Sequence, residues 1–229
     1  NNLGSAKLGV ICIGRGNDFA FSMGIPTDIE NACLALAQGA TRCIDIGRVV
    51  SELYPEGRFF GNGIGVGFDA MVGFLAAEMP YSGVFAYLAG ALKTMMIYSP
   101  APVMEISTDD EVITQATLMA SIMNGRRMGG AFMMAPQSHP DDGLFDLCLA
   151  GAAGRLKILQ LIPRFIQGNQ AGDPLIKFIH SKKVTVRAIQ GSLPAHADGE
   201  TLCTAGKEIK VEILPQQIDL IYLPEEEKK

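Results

Sequence analysis

The carboxylates most able to do chemistry in this chain lie beside glycines, where turns would hold them at loop tips. Gly14-Arg15-Gly16-Asn17-Asp18 follows an apolar run and precedes a helical pattern, so its backbone N–H groups could face phosphate and its aspartate a metal ion. Read alone, it fits an ordinary turn better, because glycine and asparagine tolerate left-handed backbone and aspartate bonds locally. Asp198-Gly199 is a two-residue hairpin signal that puts Asp198 and Glu200 at a rim. That turn breaks the alternation needed to align His196, Asp198 and Glu200, so a three-ligand metal site is not expected. Asp141-Asp142-Gly143, in the loop 136–144, could hold a hard cation through oxygen ligands or be plain turn chemistry.

Three other segments are weaker. Gly65-Val66-Gly67-Phe68-Asp69-Ala70 matches a dinucleotide pattern, but the parallel strand–helix–strand context is missing, so its glycines read as close backbone approaches. Arg126 and Arg127 sit among Asn124-Gly125 and Gly129-Gly130, facing either phosphate or solvent at a bulged strand end. His180, before Ser181-Lys182-Lys183, reads as a solvated surface histidine. No GxxxxGK followed by Ser or Thr occurs.

The elements that must position these residues begin with a strand over 8–13. A helix follows from a Thr27–Glu30 capping box to Gly39, then a strand over 40–46. From about residue 47 the texture is β-rich, with strands expected over 59–67, 103–108, 112–124, 144–150, 183–187, 208–214 and 218–223. Helical patterns over 70–98, broken at 80–83, and over 155–167, with an internal Pro163, interrupt it. The charged end 225–229 is expected to fray.

Composition bounds the functions these pieces could serve. A chain of 229 residues, 48% hydrophobic and 19% charged, can fill a sizeable core, which excludes disorder and fibre. Its net charge of -5 disfavours nucleic acid as a partner, since that binding needs a positive field. Five cysteines without a CxxC pair suggest neither a disulfide frame nor a zinc ribbon and fit a reducing compartment. Residues 1–7 lack the features of a signal peptide, and no apolar run approaches the roughly 20 residues that span a bilayer.

Taken in order, the segments are more specific than any one of them. Gly14-x-Gly16-Asn17-Asp18-Phe19-Ala20, Asp45-Ile46-Gly47, Phe60-x-Asn62 with Gly67-Phe68-Asp69-Ala70, Asn124-Gly125, Asp142-Gly143-Leu144-Phe145-Asp146 and Asp198-Gly199-Glu200 resemble the diacylglycerol kinase catalytic family. The resemblance covers nearly the whole chain and implies an α/β nucleotide-binding domain joined to a β-sandwich domain, similar to the NAD kinase and diacylglycerol kinase fold. Residues 1–46, which the tail 216–229 could rejoin, would belong to the first and 47–215 to the second.

By the same resemblance, the function would be ATP- and magnesium-dependent phosphoryl transfer to a lipid hydroxyl such as diacylglycerol. It would take place in the cytoplasm with peripheral membrane association, and a homodimer is allowed. Glu200 would be the general base. Arg15, Asn17 and Asp18 would bind nucleotide, Asp18 and Asp45 would join the magnesium network at the phosphates, and Asp142 with the carbonyls of His139 and Leu144 would hold a second, structural magnesium. The family has Pro and Thr where this chain has Cys12 and Arg15, so Arg15 would replace a threonine contact with a charge-assisted one. The family's GGDGT phosphate loop does not occur in the sequence, and the chain is therefore expected to be an inactive fragment of a kinase of roughly 300 residues. The alternative is a non-catalytic lipid-binding or regulatory homologue.

Overall fold

The computed structural model describes residues 6–14, 16–80, 83–98 and 100–224. Arg15 and the charged end 225–229, both assigned roles above, lie outside the described residues. The chain opens with strand β1 (Lys7–Leu8), helices α1 (Asp18–Ser22) and α2 (Ile29–Gln38), and strands β2 (Thr41–Val50), β3 (Arg58–Phe60) and β4 (Gly63–Gly67). Helices α3 (Phe68–Ala77) and α4 (Val84–Ile97) lead to β5 (Val103–Ser107), β6 (Val112–Met123) and β7 (Phe145–Gly151). Helix α5 (Arg155–Gln167) precedes β8 (Ile176–Ser181), β9 (Lys183–Gln190), β10 (Leu193–Ala197), β11 (Glu200–Gly206) and β12 (Glu208–Ile221).

Two antiparallel layers share one corner strand. Residues 112–116 of β6 pair with β5, in the layer β3-β2-β12-β9-β5, whereas residues 117–123 pair with β4 and β7, in the layer β11-β10-β4-β6-β7-β8. The burial pattern of β6 follows this crossing: it is largely exposed to residue 116 and continuously buried from Thr117 onward. Between the layers lies a core of aliphatic and aromatic side chains, including Val49, Val186 and Val211 from one side and Ile64, Ile122 and Leu147 from the other. On its outer face the second layer carries α3, α4 and α5, packed through Phe68, Val72, Met119, Leu161 and Phe165.

Several expectations shift for identifiable reasons. The strand expected over 8–13 shrinks to β1, which pairs in parallel with the far end of β12, and Ile13 is 87% exposed. Asp28, and not Thr27, caps α2: its carboxylate accepts from the Asn31 N–H at 2.9 Å, while Gly39 closes the helix at φ 67°. The run 59–67 splits into β3 and β4 at Gly61-Asn62, because the two halves pair with different layers. The segments 208–214 and 218–223 fuse into β12, a single strand with a bulge at residues 215–217 where Gln216 takes φ 51°. Strand β8 was not expected, and its pairing with β7 brings His180 onto Asp146 at 3.0 Å, so this histidine has an acidic partner.

Candidate functional site

A cavity of about 620 Å³ runs between the helices α3, α4 and α5 and the outer face of the second layer. Its walls are apolar and contain small residues, Gly73, Ala76, Ala77, Ala86 and Ala91, whose missing side-chain volume leaves the space open. One end reaches Gly14, Gly16, Asn17 and Asp18, and also Asp198 and Gly199, so two of the turns singled out in the sequence meet at the same cavity.

Asp198 builds one side of that meeting point. It sits in the hairpin turn between β10 and β11 at φ 48°, a left-handed conformation that aspartate tolerates. Its carboxylate turns back across the turn and accepts the N–H groups of Gly61 at 2.7 Å, Asn62 at 3.1 Å and Gly63 at 2.9 Å. Burial pushes this carboxyl above its ordinary pKa, while the three N–H donors and Arg58 pull it down. Asp198 therefore holds the break between β3 and β4 in register with the turn. Glu200, two residues on, is solvent-facing with 62% of its side chain exposed and the Arg58 guanidinium 4.0 Å away; it stands on the rim outside the cavity lining.

The opposite side is a clamp centred on Arg127. Its Nε donates to Asp18 Oδ1 at 2.8 Å, its Nη2 donates to the Gly16 carbonyl at 2.9 Å, and its guanidinium stacks 3.9 Å from the centre of the Phe21 ring. Both Asp18 oxygens also accept from Gly130 N–H at 3.0 Å, and Asn17 at φ 51° receives the Gly14 N–H on its side chain at 3.1 Å. The glycine-rich segment after β6 is thus a lock on the Gly14–Asp18 turn, and Arg127 is neither solvated nor free to face phosphate. Arg127→Ala should destabilise the chain by about 2 kcal/mol and speed amide exchange across residues 16–22, since it strips a half-buried carboxylate of its partner. Exchange rates unchanged in that segment would refute the clamp.

Asp45 is placed elsewhere. It is 0% exposed, its carboxylate accepts Gly143 N–H at 2.7 Å and Gln216 N–H at 2.8 Å, and it is absent from the cavity lining among the described residues. Its own N–H donates to the Pro140 carbonyl at 2.7 Å and its carbonyl accepts from Asn124 Nδ2 at 3.0 Å, so it ties β2, the 136–144 loop and the β12 bulge together. Asp18 and Asp45 are not brought together, and each carboxylate is occupied by donors of the protein itself, an arrangement that does not fit a shared cation. In the 136–144 loop Asp142 accepts Leu144 N–H at 2.9 Å on one oxygen and is exposed, as is His139. Among the described residues no three His, Cys, Asp or Glu side chains cluster as metal ligands.

Sequence reasoning missed the polar group on the cavity wall. Asp69, at the start of α3, receives the Ser121 hydroxyl at 2.6 Å and the Ala70 N–H at 2.9 Å, and burial pushes its carboxyl up to about 7. His196, 7% exposed, is depressed to about 4 by the same cause. The signal available was Gly65: a Cβ there would meet His196 Nε2 at 2.7 Å and Asp69 Oδ2 at 2.9 Å.

An antiparallel two-layer β fold with an α/β edge and a cavity joining two acidic turns is the frame of an NAD kinase-like sandwich, and comparisons with known proteins agree. The family described as the YegS C-terminal NAD kinase beta sandwich-like domain matches residues 62–222, and the diacylglycerol kinase catalytic domain matches residues 3–49. The chain belongs to the diacylglycerol kinase and YegS-like lipid kinase family. It is 29% identical over 204 residues to a diacylglycerol kinase of Mycobacterium tuberculosis, covering 88% of this chain and 65% of that one. A YegS-like lipid kinase of Pectobacterium atrosepticum is 29% identical over 220 residues, 92% of this chain and 67% of that one. A crystal structure of a diacylglycerol kinase from Bacillus anthracis superposes with a TM-score of 0.65 at 17% identity, over 92% of this chain and 65% of that one, which supports the fold. The chain spans 65% of the Mycobacterium relative and 62% of a diacylglycerol kinase of Bacillus subtilis, under two thirds of each. Among the described residues no helix is long and apolar enough to cross a membrane.

Proposed function

We propose that the protein carrying this chain transfers the γ-phosphoryl group of ATP to the hydroxyl of a lipid such as diacylglycerol. The observation that carries this reading is the cavity, with its apolar body and its mouth at the Asp198-Gly199 and Gly14–Asp18 turns, a shape suited to a lipid whose hydroxyl lies at the mouth. At that rim Glu200 would accept the hydroxyl proton as the oxygen attacks the γ-phosphorus and ADP leaves. Asn17 and the N–H groups around Gly14 and Gly16 would line the nucleotide side, and Arg15, between them in the sequence, would contact the phosphates. Magnesium, when bound, would neutralise charge on the phosphates; the 136–144 loop, through Asp142 and the carbonyls of His139 and Leu144, would hold a structural ion. We assign 1–46 with 216–229 to the nucleotide-binding unit and 47–215 to the sandwich, with the work done at a membrane surface facing the cytoplasm.

Glu200→Gln in the complete protein should lower lipid phosphorylation at least about a hundredfold without moving the melting temperature, the usual scale for loss of a general base. Near-normal turnover would reject Glu200 as the base. Because no GGDGT loop occurs in the 229 residues, the chain by itself is expected to bind short-chain diacylglycerol without phosphorylating it; rates comparable to those of the complete protein would reverse this. The occupation of Asp18 by Arg127 favours a second reading, a non-catalytic lipid-binding homologue, for which the complete protein would also show no transfer.

A further inference from the structure

Between its polar mouth and its apolar body, the cavity wall carries a polar row that includes Asp69 and His196. Ser121 of β6, Gly65 of β4 and His196 of β10 are direct cross-strand partners, so they project from the same face of the second layer, toward α3. With no side chain at Gly65, the imidazole and the Asp69 carboxyl close over that glycine: both Nε2 and Oδ2 lie within 3 Å of the position a Cβ would take, which sets them under about 6 Å apart. Above them α3 passes at Gly73, where a Cβ would stand 3.7 Å from Nε2. Asp69, Gly73 and His196 all line the cavity.

The hydrogen-bonding arithmetic of this row is incomplete. Asp69 has one donor on each oxygen, from Ser121 and Ala70. The neutral imidazole has one N–H and one lone pair to satisfy, yet His196 Nδ1 is buried with no hydrogen-bond partner among the described residues. A buried polar group left unmatched is costly, so such a side chain facing an open cavity marks the place where a ligand atom completes the set. A carbonyl oxygen does so for the imidazole N–H, and a neutral Asp69 carboxyl can donate to the same oxygen.

We propose that His196 and Asp69 form a recognition point for an ester carbonyl of the lipid, set into the apolar cavity away from the hydroxyl at its mouth. This rests on the lipid reading of the cavity given above. The acyl chains would pack along the helices while the ester oxygen replaces the missing partner of His196, so the site selects acyl esters over lipids that lack a carbonyl.

The test compares binding of radiolabelled 1,2-dioctanoylglycerol and its dioctyl ether analogue to the purified chain by equilibrium dialysis. The ester is expected to bind about tenfold more tightly, the scale of one lost hydrogen bond in a dry site. His196→Phe should bring the two lipids to equal affinity, and His196→Gln, which keeps an N–H donor, should restore part of the preference. Equal affinity of the unmodified chain for ester and ether overturns the subsite while leaving the lipid reading intact, and needs no variant to fold. An ester preference that survives in a folded His196→Phe chain also overturns it. Binding of neither lipid overturns the lipid reading, and the subsite with it.

Discussion

Asp69→Asn is expected to leave stability near pH 4 unchanged and to raise it by about 4 kcal/mol at pH 8. Burial lifts the folded-state pKa of Asp69 from 3.8 to about 7, so between those values the folded chain keeps a proton that the unfolded chain has released. The stability this group contributes is therefore full below about pH 4 and falls as pH rises toward 7. His196 runs the other way: lowered from 6.5 to about 4, it stays neutral in the fold while the unfolded imidazole is protonated, so its share rises with pH over that window. The two slopes oppose each other between about pH 4 and 6.5 in the wild-type chain. Removing the Asp69 titration exposes the rise due to His196. Urea unfolding at pH 4, 6 and 8 measures this, and a variant no more stable than wild type at pH 8 would show that the carboxyl is not held neutral by burial.

The second large effect belongs to Asp198. Asp198→Ala should lower the unfolding free energy by about 3 kcal/mol, because three N–H groups lose a shared acceptor and alanine resists the left-handed backbone at that turn. Asp198→Asn tolerates the same backbone and retains one acceptor oxygen, so it should cost about half as much. The measurement is the urea midpoint of both variants at pH 7. A loss under 1 kcal/mol for the alanine variant would mean that water replaces the carboxylate and that the turn does not organise the 61–63 segment.

The aspartate and glutamate positions were legible from their neighbours in the chain, but their partners were not. Asp198 stood out because Asp-Gly between two apolar runs is a hairpin signal, and it does occupy that turn. That its carboxylate would reach Gly61–Gly63, more than 130 residues earlier, follows from the β10–β4 pairing, which no local pattern encodes. Arg127 gave the opposite difficulty. Its glycine-rich setting suggested flexibility and exposure, whereas the fold lays it against Asp18 and Phe21 and makes it a lock. His196 drew notice only as a possible metal ligand beside Asp198 and Glu200; its relation to Asp69 and Ser121 exists across three strands and a helix.

By itself the sequence determined the alternation of strands, the helix α5, the break between α3 and α4, and the order of acidic turns that identifies the family. These depend on local periodicity, turn chemistry and spacing along the chain, which are read over a few residues at a time. The tertiary structure alone decided that β6 passes between two layers and that 208–221 forms one bulged strand. It also decided that Asp45 serves the backbone of Gly143 and Gln216, and that small residues on α3 and α4 leave a cavity ending at two distant turns. Strand partnership is set by which apolar faces can be buried together across the whole molecule, and a buried carboxylate takes whichever donors that burial brings to it.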